Sequence, residues 1–110
     1  MDIKELAKKC KLNEKELDEF YEKWKNRNHD LDHKIAARTL TSQVRREILE
    51  FIGYDVKTTK EIGDKFDIKE EQVKYHLNML EQPSYVMDCD GNWKLTPRGI
   101  GFLENTKLDS

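Results

Sequence analysis

From Thr58 to Gly101 the apolar side chains follow helical spacing, then strand-like spacing, then helical spacing again. Ile62 and Phe66 stand four residues apart and so share one helical face, with Gly63 beside them where a second helix can approach closely. Thr58 and Glu61 have the spacing of a capping box, in which each side chain satisfies a free backbone N–H at a helix start. Asp67-Ile68-Lys69 then reads as a turn with Ile68 as its buried plug, and Glu70 to Gln82 as a second helix carrying Val73, Leu77 and Leu80 inward. Its opposite stripe is Glu71, Lys74, Tyr75 and Asn78. Pro83 and Ser84 stop this helix, and Tyr85 to Cys89 is a β-prone run. Asp90-Gly91-Asn92 suits a hairpin turn, from which Trp93-Lys94-Leu95 returns as the second strand. Thr96 as N-cap and Pro97 at the first helical position open a closing helix with Ile100, Phe102 and Leu103; Gly99 and Gly101 predict that it is short. The order predicts a winged helix-turn-helix: mainly α, with a small β-hairpin wing and one helix presented outward.

The N-terminal third repeats part of this pattern. Residues 4–17 can be laid over residues 60–73, with Leu6, Ala7, Cys10, Leu12 and Leu17 matching Ile62, Gly63, Phe66, Ile68 and Val73. Asn13 with Glu16, and Asp2 with Glu5, have capping-box spacing. One reading is a second helix-turn-helix; the other is a helical hairpin that extends the core or packs across a dimer axis. The outer face mixes Glu14, Asp18, Glu19 and Glu22 with Lys15, Lys23 and Lys25, the pattern of a solvated surface rather than a polyanion-binding one. That favours the hairpin. Leu17, Phe20, Tyr21 and Trp24 form an aromatic-rich stripe expected in a core or a dimer interface.

Three pieces of the chain, Val44 to Ile52, Val73-Lys74-Tyr75-His76-Leu77-Asn78-Met79-Leu80 and Leu95-Thr96-Pro97-Arg98-Gly99, stand in the order of successive segments of ArsR-type winged-helix transcription regulators of prokaryotes. The chain resembles that family over about residues 42–104. The resemblance implies that the first piece is a core helix, the His-Leu helix enters the DNA major groove, and the third closes the wing. By position it implies that Glu71, Gln72, Lys74, Tyr75 and Asn78 face bases or phosphates and that Asn92 and Lys94 lie on the wing. Lys69 at the start of that helix, Thr58, Thr59 and Lys60 at the start of the preceding one, and Arg45 and Arg46 in the core helix complete the candidate DNA contacts, since helix starts often meet phosphates. Lys34, Arg38 and Lys57 extend a possible basic rim. The resemblance also implies a homodimer, with Leu17, Phe20, Tyr21, Trp24 and Phe102 as candidate interface residues.

Charge argues partly against that function. Where small polar residues are usual at the start of the reading helix, this chain has Lys69-Glu70-Glu71, and the wing sets Asp88 and Asp90 against Lys94. Residues 58–84 hold four lysines against six carboxylates, whereas phosphate contacts supply most of the affinity of ordinary DNA binders. A second hypothesis follows: a protein-interaction module whose acidic helix and wing dock a basic partner in a transcription or nucleic-acid-processing assembly.

The remaining features narrow the field. At 110 residues, 38% of them charged, the chain suits one domain (1–110), with an N-terminal helical extension over 1–40 and the winged helix over 42–104. No apolar run is long enough for a membrane span and no signal-peptide pattern is present, so the expected location is the cytoplasm. Cys10 and Cys89 are expected to be reduced packing residues. His29 and His33 are four apart and could share a helical face as metal ligands, as in metal sensors of the resembling family, but nothing at diagnostic spacing completes a set. No metal or other cofactor is therefore expected. His76, beside the apolar face of the reading helix, is expected to pack with one nitrogen hydrogen-bonded. No nucleophile with a base, phosphate-cradling glycine loop or metal-hydrolase motif appears, so binding rather than catalysis is expected.

Overall fold

The computed structural model describes residues 3–109, with side chains to Asn105. Its elements are α1 (Ile3–Lys9), α2 (Glu14–Lys25), α3 (His29–Thr39), α4 (Gln43–Ile52), β1 (Val56–Thr58), α5 (Thr59–Phe66), α6 (Glu70–Glu81), β2 (Val86–Cys89), β3 (Asn92–Leu95) and α7 (Pro97–Asp109). Local chemistry sets most helix starts. Asn13, Asn28, Ser42 and Thr58 each accept a backbone N–H from three residues ahead, and Asn13 with Glu16 and Thr58 with Glu61 close full capping boxes. The box expected from Asp2 and Glu5 lies outside the described residues.

The core gathers the predicted apolar faces. Ile48, Leu49 and Ile52 of α4, Ile62 of α5, Val73, Leu77 and Leu80 of α6, and Val86, Leu95 and Ile100 are all essentially inaccessible. Each contributes about 1.5–3 kcal/mol relative to an exposed side chain. Ile68 is only half-buried, packed on the edge of this cluster. Asp67 in the turn is left-handed, with φ +53°, which reverses the chain sharply between α5 and α6. Asp90 and Gly91 both have positive φ (+56° and +86°), as a tight primed hairpin turn requires, and Asp88 Oδ1 accepts the Gly91 N–H at 2.8 Å.

Two features differ from expectation. The wing is three-stranded, in the order β1-β3-β2: Val56, Lys57 and Thr58 pair antiparallel with Lys94, Trp93 and Asn92. Three residues carry too little alternation to announce a strand, and β1 exists because β3 supplies its partners. The closing helix is also long rather than short, 13 residues from Pro97 to Asp109. A Cβ built on Gly99 would stand 2.3 Å from the Tyr85 carbonyl oxygen, and one on Gly101 would stand 3.2 Å from Leu6 Cδ1. Both glycines therefore permit close approach, and the packing gained there outweighs a helix-propensity cost of about 1 kcal/mol each.

The N-terminal segment adds helices to the core. Its α1 packs along α7 and delivers Leu6 to the core. Phe20 of α2 is 1% exposed, stacked on Trp24 with centroids 5.8 Å apart and edge-on to Tyr21 at 5.6 Å. Trp24 is held in turn by Arg27, whose guanidinium carbon lies 3.4 Å from its ring centroid. Asp32 of α3 ties this corner to α7, accepting from Arg98 at 2.6 Å and lying 3.8 Å from Arg27.

Candidate nucleic-acid interface

The outward face of α6 is where the hydrophobic pattern puts it. Glu71, Gln72, Lys74, Tyr75 and Asn78 are all exposed, and Tyr75, at 57%, is with Leu31 one of two large hydrophobic side chains among the described residues that stand out from the surface. Burial of Val73, Leu77 and Leu80 on the other side fixes this orientation. The α6 start lacks a side-chain cap; instead Gln72 Oε1 turns back to accept the Lys69 N–H at 3.3 Å. At the α5 start, Thr58 is occupied by its capping box, and the Thr59 hydroxyl accepts Trp93 Nε1–H at 3.0 Å, binding helix to wing.

Several of the candidate cations meet a carboxylate. Lys60 pairs with Asp64 at 3.0 Å and Lys74 with Glu70 at 3.5 Å, both exposed pairs one helical turn apart and worth only a few tenths of a kcal/mol. Lys57 lies 3.5 Å from Asp55 and over the Phe51 ring. Lys94 is expected on the open wing surface, but its Nζ is 3.0 Å from Glu16 Oε1 of α2, and both side chains are only 17% exposed. Strand alternation explains it. Trp93 and Leu95 face the core, so Lys94 points to the other face of the sheet, where α2 supplies Glu16. Of the two wing candidates, Asn92 alone remains exposed.

Glu16 thus serves both its own helix start and the wing. Burial opposes its charge, yet hydrogen bonds from Cys89, the Asn13 N–H and Lys94 hold its carboxyl below the usual range. Burial, and then the hydrogen bond to Glu16, pushes the Cys89 thiol up to about 12. Burial also raises the Cys10 thiol, and both cysteines are free.

Arg45 and Arg46 sit at the α4 start, both half-buried. Arg46 donates to the Leu40 carbonyl. Arg45 donates through Nη1 to the Thr39 carbonyl at 3.3 Å and through Nε to Nδ1 of His76 at 3.2 Å, and its guanidinium carbon lies 5.6 Å from the Tyr75 ring centroid. A core-helix cation is thereby delivered onto the reading helix. His76 is held below its ordinary 6.5, first by burial and then by the Arg45 charge. The Arg45–His76 link spans 31 residues and has no signal in local sequence.

The other candidate residues are dispersed. Leu17, Tyr21, Trp24 and Phe102 are half-buried, while Phe20 is enclosed within its own chain and presents no surface to a second copy, a correction to its place among the interface candidates. His29 and His33 are exposed on α3, and among the described residues no group of three or more His, Cys, Asp or Glu could hold a metal ion. No described helix is long and apolar enough to cross a membrane.

A tight-turn helix pair with its second helix outward and a hairpin at its side defines a winged helix-turn-helix protein, the class to which DNA-binding transcriptional regulators belong. The family described as "Helix-turn-helix domain" matches residues 40–84, which hold α4, β1, α5 and α6. An uncharacterized protein of Archaeoglobus fulgidus is 34% identical over 83 residues, 76% of this chain and 92% of that one. The chain belongs to one family with that archaeal protein, and its match to the helix-turn-helix domain over residues 40–84 is in keeping with its resemblance to ArsR-type regulators. The solved structure of reduced HlyU from Vibrio cholerae superposes with a TM-score of 0.59 at 10% identity, covering 73% of this chain and 90% of that one; the likeness is one of fold.

Proposed function

We propose that the chain is a DNA-binding transcriptional regulator that acts as a homodimer, inserting α6 of each copy into the major groove of double-stranded DNA. The observation that carries this reading is the exposed polar stripe of Glu71, Lys74, Tyr75 and Asn78 on a helix whose other side is sealed into the core. Asn78 suits adenine and Lys74 suits guanine or phosphate. The wing, with Lys94 engaged by Glu16, adds little positive charge, so α6 and the α4 start carry the contact. Binding rather than catalysis is the action, and the extension and winged helix work as one domain in which Leu17, Tyr21, Trp24 and Phe102 supply the dimer surface.

Titration of the purified protein against mixed genomic duplex fragments at low and moderate salt, followed by sequencing of what is retained, tests it. Enrichment of a two-fold symmetric site supports the dimeric regulator; no retention at low salt overturns it. One observation favours a second reading, a basic protein partner: Glu70, Glu71, Asp88 and Asp90 stay exposed or nearly so while the wing's cation is neutralised from behind. Reversing Glu70 and Glu71 to Lys would then abolish partner capture and strengthen any duplex binding; capture that survives the reversal excludes this reading.

A further inference from the structure

We propose that His76 is a positioning residue that holds the Arg45 guanidinium against the reading helix to receive a DNA backbone phosphate. The inference rests on the DNA-binding reading above and names a contact within it. Lys60, Lys74 and Lys94 each lie within 3.5 Å of a carboxylate. Arg45 differs from them in kind. Its partners are the Thr39 carbonyl at 3.3 Å, the His76 imidazole at 3.2 Å and the face of Tyr75, all without charge. No ion pair neutralises it among the described residues, so its charge remains available to an anion.

The geometry of the guanidinium completes the argument. Arginine carries its N–H donors in a planar fork and has no acceptor. With Nε–H directed to His76 and one Nη1–H to Thr39, the rest of the fork, including both hydrogens of Nη2, is free for a phosphate oxygen. Because Nδ1 of His76 accepts, its ring is neutral with the proton on Nε2, the state that burial and the Arg45 charge also favour. A long side chain that would otherwise lose rotamer freedom on meeting DNA is thereby ordered in advance. Tyr75, exposed and next to His76 with ring centroids 5.5 Å apart, places the fork at the surface of α6 rather than in the core.

The test is a salt titration of a fluorescein-labelled duplex of mixed sequence, followed by anisotropy, with the full chain and its variants. Arg45→Ala should lower the slope of log affinity against log salt by about 0.9, the value for one phosphate contact. His76→Leu should lower it in the Arg45 background and leave it unchanged in the Arg45→Ala background, while His76→Asn, whose Oδ1 can stand where Nδ1 stood, should restore it. A His76→Leu slope equal to that of the wild type, or an equal loss in both backgrounds, overturns the proposal while leaving the DNA reading intact. Absence of any salt-dependent binding by the wild type overturns both. Should His76→Leu fail to fold, nitrogen-15 spectra of the wild type decide: a neutral His76 protonated at Nε2, with an Arg45 Nε–H resonance that moves on adding duplex, supports the proposal, and a resonance that does not move refutes it.

Discussion

Lys74 and Tyr75 are exposed and contribute little to the core, so substitutions there separate recognition from stability. Lys74→Ala is expected to weaken duplex binding and reduce its salt slope by about one, and Tyr75→Ala to weaken binding by about 1–3 kcal/mol, with unfolding midpoints within error of the wild type. Anisotropy titrations beside thermal unfolding check both. His76 gives a pH-dependent expectation. Its proton is held less tightly in the folded chain than its ordinary 6.5, so the unfolded chain takes up that proton first as pH falls. Stability from this group is complete above about pH 6.5 and is lost as pH drops through the lower folded value. Unfolding midpoints from pH 7.5 to 5 should therefore fall more steeply for the wild type than for His76→Asn. Cys89, pushed up to about 12, should resist alkylation at pH 8 until the protein unfolds, because the thiolate is the nucleophile.

Between elements, contacts from distant parts of the chain set the geometry of the wing. Glu16 of α2 meets Lys94 of β3 across 78 residues, and Trp93 of β3 meets Thr59 of α5 across 34. Removing one partner of the largely buried pair strands the other, so Lys94→Met is expected to cost about 1–3 kcal/mol, measured by urea unfolding. If Lys94 instead faced DNA, the same substitution would chiefly weaken duplex binding and leave stability unchanged. The α7 contact is tighter still. Gly99→Ala places a methyl 2.3 Å from the Tyr85 carbonyl, which must shift, and should destabilise by about 1–3 kcal/mol despite the better helix propensity of alanine.

For the whole molecule, the extension and the winged helix share one hydrophobic cluster through Leu6. Leu6→Ala should therefore lower a single unfolding transition of the entire chain, by about 2–5 kcal/mol, rather than release the N-terminal helices alone. Circular dichroism and tryptophan fluorescence should report coincident transitions; separate ones would argue for two units. Phe102 lines an open groove of about 440 Å³ with Trp24, Tyr85, Leu6 and Leu40, beside the α1–α7 seam. If that seam carries the dimer, Phe102→Glu should yield monomers in sedimentation with helical content retained.

The helix-turn-helix itself was legible because its determinants are local. Capping at Thr58 and Glu61, the apolar spacing of Val73, Leu77 and Leu80, and the Asp90-Gly91 turn act over one to three helical turns or a single hairpin, and each stands as read. The outward face of α6 followed, since burying one side of an amphipathic helix exposes the other. The third strand, the length of α7, the capture of Lys94 by Glu16 and the link from Arg45 to His76 were not legible. Each depends on a partner far away in sequence. Periodicity shows which face of an element is buried but not which element covers it, and a charged side chain's partner is chosen by how the elements pack. The folded chain therefore decides which of the cations visible in the sequence remain available to an outside anion, and among the described residues Arg45 is ordered by neutral partners and meets no carboxylate.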